Sequence, residues 1–232
     1  MNKEWEREHQ ESNHYDPNLH KAENKVIFEY ICHILRKDQE DASKNPLSIY
    51  GLEADREIPL PIEGVGVIRI GGTIDRLDLI GEGTNKKMRV IDYKSGVYKD
   101  DTHKKKMSAT WENLMTDENK GYVRQTMMYS YAVEQSLKVE SQKLKVESQE
   151  LKVEPHLYFC SKDLLSDKMN TSIELEGETI SDFAKLSDTF KEQLTAKAKE
   201  LLTTTDFPQC EENECPSFCE FFKLCNRKPN EF

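Results

Sequence analysis

The stretch GGTIDRLDLIGEGTNKKMRVIDYKSG, residues 71–96, decides the fold. Two apolar runs flank a Gly-containing turn, the pattern of a β-hairpin. Asp75, Asp92 and Lys94 stand within those runs, where ionised groups are costly to bury. A strand that only filled a core would avoid them.

Side chains alternate faces along a strand, so Thr73, Asp75, Leu77 and Leu79 share one face, as do Val90, Asp92 and Lys94 on the next. Closing the hairpin symmetrically about Gly83 and Thr84 pairs Leu79 with Met88, Leu77 with Val90, and Asp75 with Asp92. Directly opposed Cβ atoms lie ~4.5–5.5 Å apart. At that spacing two carboxylates repel unless a cation sits between them. Mg²⁺ takes oxygen ligands at about 2.0–2.1 Å and is commonly held by one or two carboxylates plus water. Lys94, on the same face as Asp92, would reach a scissile phosphate or an attacking water. This set suits metal-assisted phosphodiester hydrolysis. The competing interpretation is an exposed hairpin whose Asp and Lys form surface pairs worth little. D-x-K by itself does not separate the two.

GGTIDRLDLI followed by VIDYKSG resembles the second and third motifs of the RecB-type PD-(D/E)xK nucleases, a family that includes the nuclease domains of AddB-like helicase–nuclease subunits. The resemblance implies that Asp75 and Asp92 are metal ligands, that the Tyr93 carbonyl is a further ligand, and that Lys94 is catalytic. The family's Q-x-x-x-Y element matches Gln125 and Tyr129 in RQTMMYSYAV. Four-residue spacing puts both on one helix face, although such a pair taken alone is more often core packing.

What the resemblance implies is a Mg²⁺- or Mn²⁺-dependent DNA exonuclease of repair and recombination, working on DNA and partnered by a helicase subunit or domain. The implied fold is α/β and restriction-endonuclease-like, a central mixed β-sheet flanked by helices with a Cys-rich C-terminal tail. The resemblance spans about residues 52–227. The family's first motif, G-x-x-x-H-x-x-L-E, has no clean counterpart; His20 and Glu23 in LHKAENKVI come nearest. The chain therefore reads as a carboxy-terminal fragment or shortened product of a longer nuclease. A catalytically inactive DNA-binding or scaffold module of the same fold is the alternative.

Outward from the hairpin, residues 1–18 are polar and are expected to be poorly ordered, with a nuclease core over 19–206. Val26, Ile27, Tyr30, Ile31 and Ile34 recur at helical spacing, predicting an amphipathic helix over 19–39. NPLSIYGLEADREIPLPI reads as extended, 122–135 as a helix, PHLYFC as a short buried strand, and the segment after Ser181 as a helix capped by that serine. Residues 135–155 hold three tandem copies, QSLKVES, QKLKVES and QELKVEP. Leu and Val stand two apart in each, which makes no coiled-coil seam. A low-complexity insertion, exposed or extending the preceding helix, is expected there.

Of the whole chain 36% is hydrophobic, and 33 basic against 43 acidic residues leave a net charge of −10. That composition argues against nonspecific coating of nucleic acid, but not against a cleft with local positive charge. Lys86, Lys87, Arg89 and the run Lys104, Lys105, Lys106 are candidates for backbone contact, against the commoner solvated-loop interpretation. Arg76 points away from Asp75 and is expected to pair with Asp78 or an outer helix. Trp111 and Tyr122 could stack on bases or pack against the core. No apolar run approaches the ~20 residues of a membrane span, and the amino terminus is too polar for a signal peptide. A cytoplasmic setting is expected.

In a reducing compartment, cysteines clustered in sequence more often bind metal than form disulfides. Cys210, Cys215, Cys219 and Cys225 in the tail 207–232 can enclose Zn²⁺ or an iron–sulfur cluster. The family resemblance favours [4Fe–4S], with Zn²⁺ as the alternative. Cys32 and Cys160 are read as buried small hydrophobes.

Overall fold

The computed structural model describes residues 21–95, 107–144, 151–160, 171–206 and 224. The chain runs α1 (Lys21–Lys44), β1 (Leu47–Ile62), β2 (Gly66–Ile80), β3 (Lys87–Lys94), β4 (Ser108–Ala109), α2 (Gly121–Leu144), β5 (Lys152–Phe159), β6 (Glu174–Leu175), β7 (Glu178–Thr179) and α3 (Ser187–Thr203). The main sheet has the order β1-β2-β3-β5, antiparallel except for the β3–β5 pair. A parallel neighbour needs a long crossover, and α2 supplies it. The result is the expected mixed sheet flanked by helices. β4, β6 and β7 form a small second sheet.

The hairpin register is the one the alternation dictates: Leu79 pairs with Met88 and Leu77 with Val90. The ladder stops at Arg76–Ile91, so Asp75 and Asp92 are not a ladder pair. Further upstream, Gly71 and Gly72 adopt φ of +134° and +150°, a backbone conformation that favours glycine, while β2 stays paired with β1. At Gly71 an added Cβ would lie 1.9 Å from the Arg56 carbonyl oxygen, so no side chain fits.

The sheet's two faces are covered by different chemistry. Leu77, Met88 and Val90 pack with Val123, Met127 and Ala132 of α2 into one buried apolar cluster, each large side chain contributing about 1.5–3 kcal/mol. On the opposite face α1 is held by ions. Arg76 donates to Asp38 at 2.7 Å and pairs with Asp78 at 2.8 Å, so it meets both candidate partners, the neighbouring carboxylate and the outer helix. Arg89 forks onto Asp78 at 2.7 and 2.9 Å and reaches Asp41 at 2.6 Å. Buried charge is tolerable only when paired in this way.

Several expectations change. α1 is longer than predicted, and Val26, Ile27 and Ile31 from the predicted stripe are exposed, together with Phe28 and Leu35. Asp182, not Ser181, caps a short turn at Phe183–Lys185, and α3 begins only at Ser187, with no side-chain cap. The 135–155 repeat extends the preceding helix, one of the two forms expected, but is not an insertion throughout. Its first copy continues α2, and its third supplies the start of β5, where Val153 is 1% exposed. Lys87 pairs with Glu154, and Arg89 is buried in its network, so neither is free for phosphate. Trp111 and Tyr122 are partly buried against the core, Cys160 is buried and Cys32 only partly so. Residues 1–18, His20, Lys104, Lys105, Lys106 and the four tail cysteines lie outside the described residues.

The ionic attachment of α1 gives a pH dependence. Burial pushes the Asp41 carboxyl up, but hydrogen bonds from Lys37 and Arg89 outweigh it and hold the group below its ordinary 3.8. Glu154 is likewise raised by burial but held below 4.5, on balance, by His156 and Lys87. For groups depressed in the folded state, stabilisation is complete above the ordinary carboxylate value and is lost as pH falls through the depressed one. Acid unfolding followed by circular dichroism should therefore begin below about pH 4 and be less steep in Asp41→Asn.

Candidate active site

Where β2 peels away from β3, the Tyr93 N–H loses its ladder partner. The Asp75 side chain takes that place, its Oδ2 accepting from Tyr93 N at 2.7 Å. A carboxylate standing in for a backbone carbonyl fixes Asp75 against the D-Y-K strand. Alternation then sends Tyr93 to the α1 face, where Arg76 donates to its hydroxyl at 3.3 Å, and sends Asp92 and Lys94 to the α2 face.

On that face Lys94 Nζ is ion-paired with Asp92 Oδ2 at 2.6 Å and donates to Gln125 Oε1 at 3.0 Å. Gln125 Nε2 in turn donates to the Tyr129 hydroxyl at 2.9 Å. The helical pair thus stands in line behind the lysine: Tyr129 orients the amide, and the amide presents its oxygen to the ammonium. Asp92 is 3% exposed and the Lys94 side chain 15%. Burial pushes the Asp92 carboxyl above the ordinary carboxylate range; Lys94 opposes the rise and the nearby Asp75 charge adds to it.

Gly72 belongs to the same arrangement. An added Cβ there would sit 3.3 Å from Tyr129 Cε1, so the tyrosine ring would have to give by a few tenths of an ångström to admit it. Gly72→Ala is expected to displace Tyr129, and through it Gln125 and Lys94, lowering turnover about tenfold at a stability cost of about 1–3 kcal/mol. Kinetics and thermal melting on the same sample check this.

Asp92 Oδ2 is buried against the Lys94 ammonium at 2.6 Å, and one Asp75 oxygen is not committed to Tyr93. Two carboxylates with spare lone pairs, one already disfavoured as an anion, suit a small hard divalent cation that keeps several waters. Among the described residues no group of three or more His, Cys, Asp or Glu gathers in a form that could hold a metal. A cleft of about 600 Å³ opens elsewhere, lined by Lys37, Asp41, Lys87, Arg89, Glu154 and His156. Its lysines and arginine are already paired with carboxylates, and Lys94 is not part of it.

The family model described as the PD-(D/E)XK nuclease superfamily matches residues 1–226. The chain belongs to the PD-(D/E)XK nuclease superfamily. No curated protein matches the chain. Nucleases of this superfamily generally use Mg²⁺ or Mn²⁺, which agrees with the oxygen-rich, thiol-free donor set around Asp92. In this PD-(D/E)XK chain the aspartate and lysine of D-Y-K share one face and one contact, as alternation requires, and Gln125 and Tyr129 join them. Sequence reasoning missed the roles of three residues. Asp38 and Asp41 anchor α1 and resemble any solvated helix acid in the sequence. Tyr122 lies over Lys94; its three-residue spacing from Gln125 was the available signal. No described helix is long and apolar enough to cross a membrane.

Proposed function

We propose that the protein is a Mg²⁺- or Mn²⁺-dependent DNA nuclease of the RecB/AddB type that hydrolyses phosphodiester bonds exonucleolytically. The observation that carries this is the Lys94 ammonium held between the buried Asp92 carboxylate and the Gln125 amide oxygen, with Asp75 fixed to the same strand at Tyr93. The RecB-like wording of GGTIDRLDLI, VIDYKSG and the Gln125–Tyr129 pair supports the subtype. With it come repair and recombination as the setting and a helicase as working partner.

Asp75, Asp92 and the Tyr93 carbonyl would hold the ion. When bound, it supplies Lewis-acid polarisation of a phosphoryl oxygen and acidifies a coordinated water. The chain's own residues do the rest. Lys94 brings a positive charge to the place where negative charge grows on the phosphate, in a site with little water to weaken it. Gln125 fixes the direction of that charge and Tyr129 fixes Gln125. Asp75 locks the backbone from which Tyr93 and Lys94 project.

Cleavage of end-labelled single- and double-stranded DNA should appear with Mg²⁺ or Mn²⁺ and vanish in EDTA. A folded protein that binds DNA without cutting it under either metal would instead assign the non-catalytic DNA-binding module of the same fold. The tail cysteines Cys210, Cys215, Cys219 and Cys225 are proposed to hold [4Fe–4S], with Zn²⁺ as the alternative; a brown, iron- and sulfide-containing sample or a colourless, zinc-containing one separates the two.

A further inference from the structure

The Lys94 ammonium has a third neighbour besides Asp92 and Gln125. Its Nζ lies 4.7 Å from the centroid of the Tyr122 ring, on the ring face. Tyr122 and Gln125 are three residues apart on α2, so one helix face offers the lysine an aromatic surface and an amide oxygen together. The ring is itself fixed from behind. Phe159 contacts it with centroids 6.0 Å apart, and Phe159 is the ladder partner of Lys94 on β5. Tyr122 is thus held by the strand residue directly beside the lysine it faces.

We propose that Tyr122 is a positioning residue for Lys94, resting on the nuclease function proposed above. The three supports of the ammonium differ in what can displace them. Asp92 is its only charged partner among the three and is the group a hard divalent cation would claim, since such ions take carboxylate oxygens. A cation so placed would also repel the ammonium. The face of a phenol ring competes for neither role. It attracts an ammonium through its quadrupole, most strongly when the pair is shielded from water, and the Lys94 side chain is only 15% exposed. Tyr122 and Gln125 therefore keep Lys94 in place once Asp92 is engaged elsewhere. Asp92 sets where the lysine rests without metal; α2 sets where it works.

Two variants and one spectroscopic measurement test this. Tyr122→Phe keeps the ring face, while Tyr122→Leu keeps an apolar side chain against Phe159 and removes the ring. Tyr122→Leu is expected to lower kcat about tenfold with KM unchanged; Tyr122→Phe should stay within about twofold of the unsubstituted protein. In protein carrying ¹³C-lysine, the Lys94 CεH₂ resonance, assigned by its loss in Lys94→Ala, should be shifted upfield by the ring. That shift should persist when Mg²⁺ is added, remain in Tyr122→Phe and disappear in Tyr122→Leu, which makes the contact readable without turnover. Full activity in Tyr122→Leu, an unshifted Lys94 signal, or a shift that collapses with Mg²⁺ would each overturn the proposal while leaving a metal-dependent nuclease in place. No cleavage by the unsubstituted protein under Mg²⁺ or Mn²⁺ would instead remove the nuclease function, and the positioning role with it. Unequal melting temperatures with a retained shift in Tyr122→Leu would also overturn it, by making Tyr122 a packing residue alone.

Discussion

Replacing Lys94 with alanine is expected to reduce DNA cleavage about a hundred- to a thousandfold, the usual consequence of removing one preorganised group that meets developing charge. The loss should fall on kcat, because the lysine is recessed and its three contacts serve its own orientation rather than a broad DNA-binding surface. Folding should be little disturbed. Without the ammonium, the buried Asp92 carboxyl can relieve its charge by protonation, a direction in which burial already pushes it. Cleavage assays beside thermal melts distinguish this from global damage: a variant with near-normal melting and near-normal cleavage would show that Lys94 has no part in the chemistry. Arginine at this position is not expected to restore activity, since a planar, forked guanidinium does not fit a point-charge site bounded by a ring face and one amide oxygen.

The second large effect is on stability. Arg89→Leu should destabilise the protein by about 3–5 kcal/mol, because it removes the forked cation from the buried Asp78 and leaves Asp41 with Lys37 alone. Asp78 is 0% exposed and receives two hydrogen bonds from Arg89, and Asp41 receives a third. Arg76 still touches Asp78 on its other side but cannot replace a bidentate fork. For a chain of this size such a loss lowers the melting temperature by about 10 °C. Hydrogen exchange should show α1 opening first, since its attachment depends on those carboxylates. Asp78→Asn combined with Arg89→Leu should recover part of the loss by removing the stranded charge; if the double variant is no better than the single, the ionic account of α1 is wrong.

The hairpin register was legible because alternation and a short Gly-bounded turn leave little freedom, and a one-residue slip would turn Leu77 and Val90 out of the core. The shared face of Asp92 and Lys94 followed from the same periodicity, and that of Gln125 and Tyr129 from the helical one. α1 was not legible in the same way. Periodicity follows apolar residues, and it selected Ile27 and Ile31, which are exposed, over Asp38 and Asp41, which are turned to the sheet. What orients that helix is a pair of arginines about forty residues away in sequence, and no local pattern reports such a partner. Lys87 and Arg89 misled for the mirror-image reason, since basic residues on a strand look available for phosphate until their acids are found. The repeat shows the limit most directly. LKVE at 137–140 is helical with Val139 48% exposed, whereas in LKVE at 151–154 Val153 is 1% exposed and lies in β5. One tetrapeptide takes either form because tertiary surroundings outweigh intrinsic propensity.

That duplication has an evolutionary corollary. Because the outer units are anchored, the first within α2 and the third at the beginning of β5, a whole heptad gained or lost between them restores the same flanking residues at both joins. The entropic penalty of lengthening a connection grows only logarithmically, by about 0.6 kcal/mol per doubling. Slippage in the underlying tandem DNA can therefore change the spacing between α2 and β5 in steps of seven residues, with selection on Lys94 and its neighbours scarcely noticing.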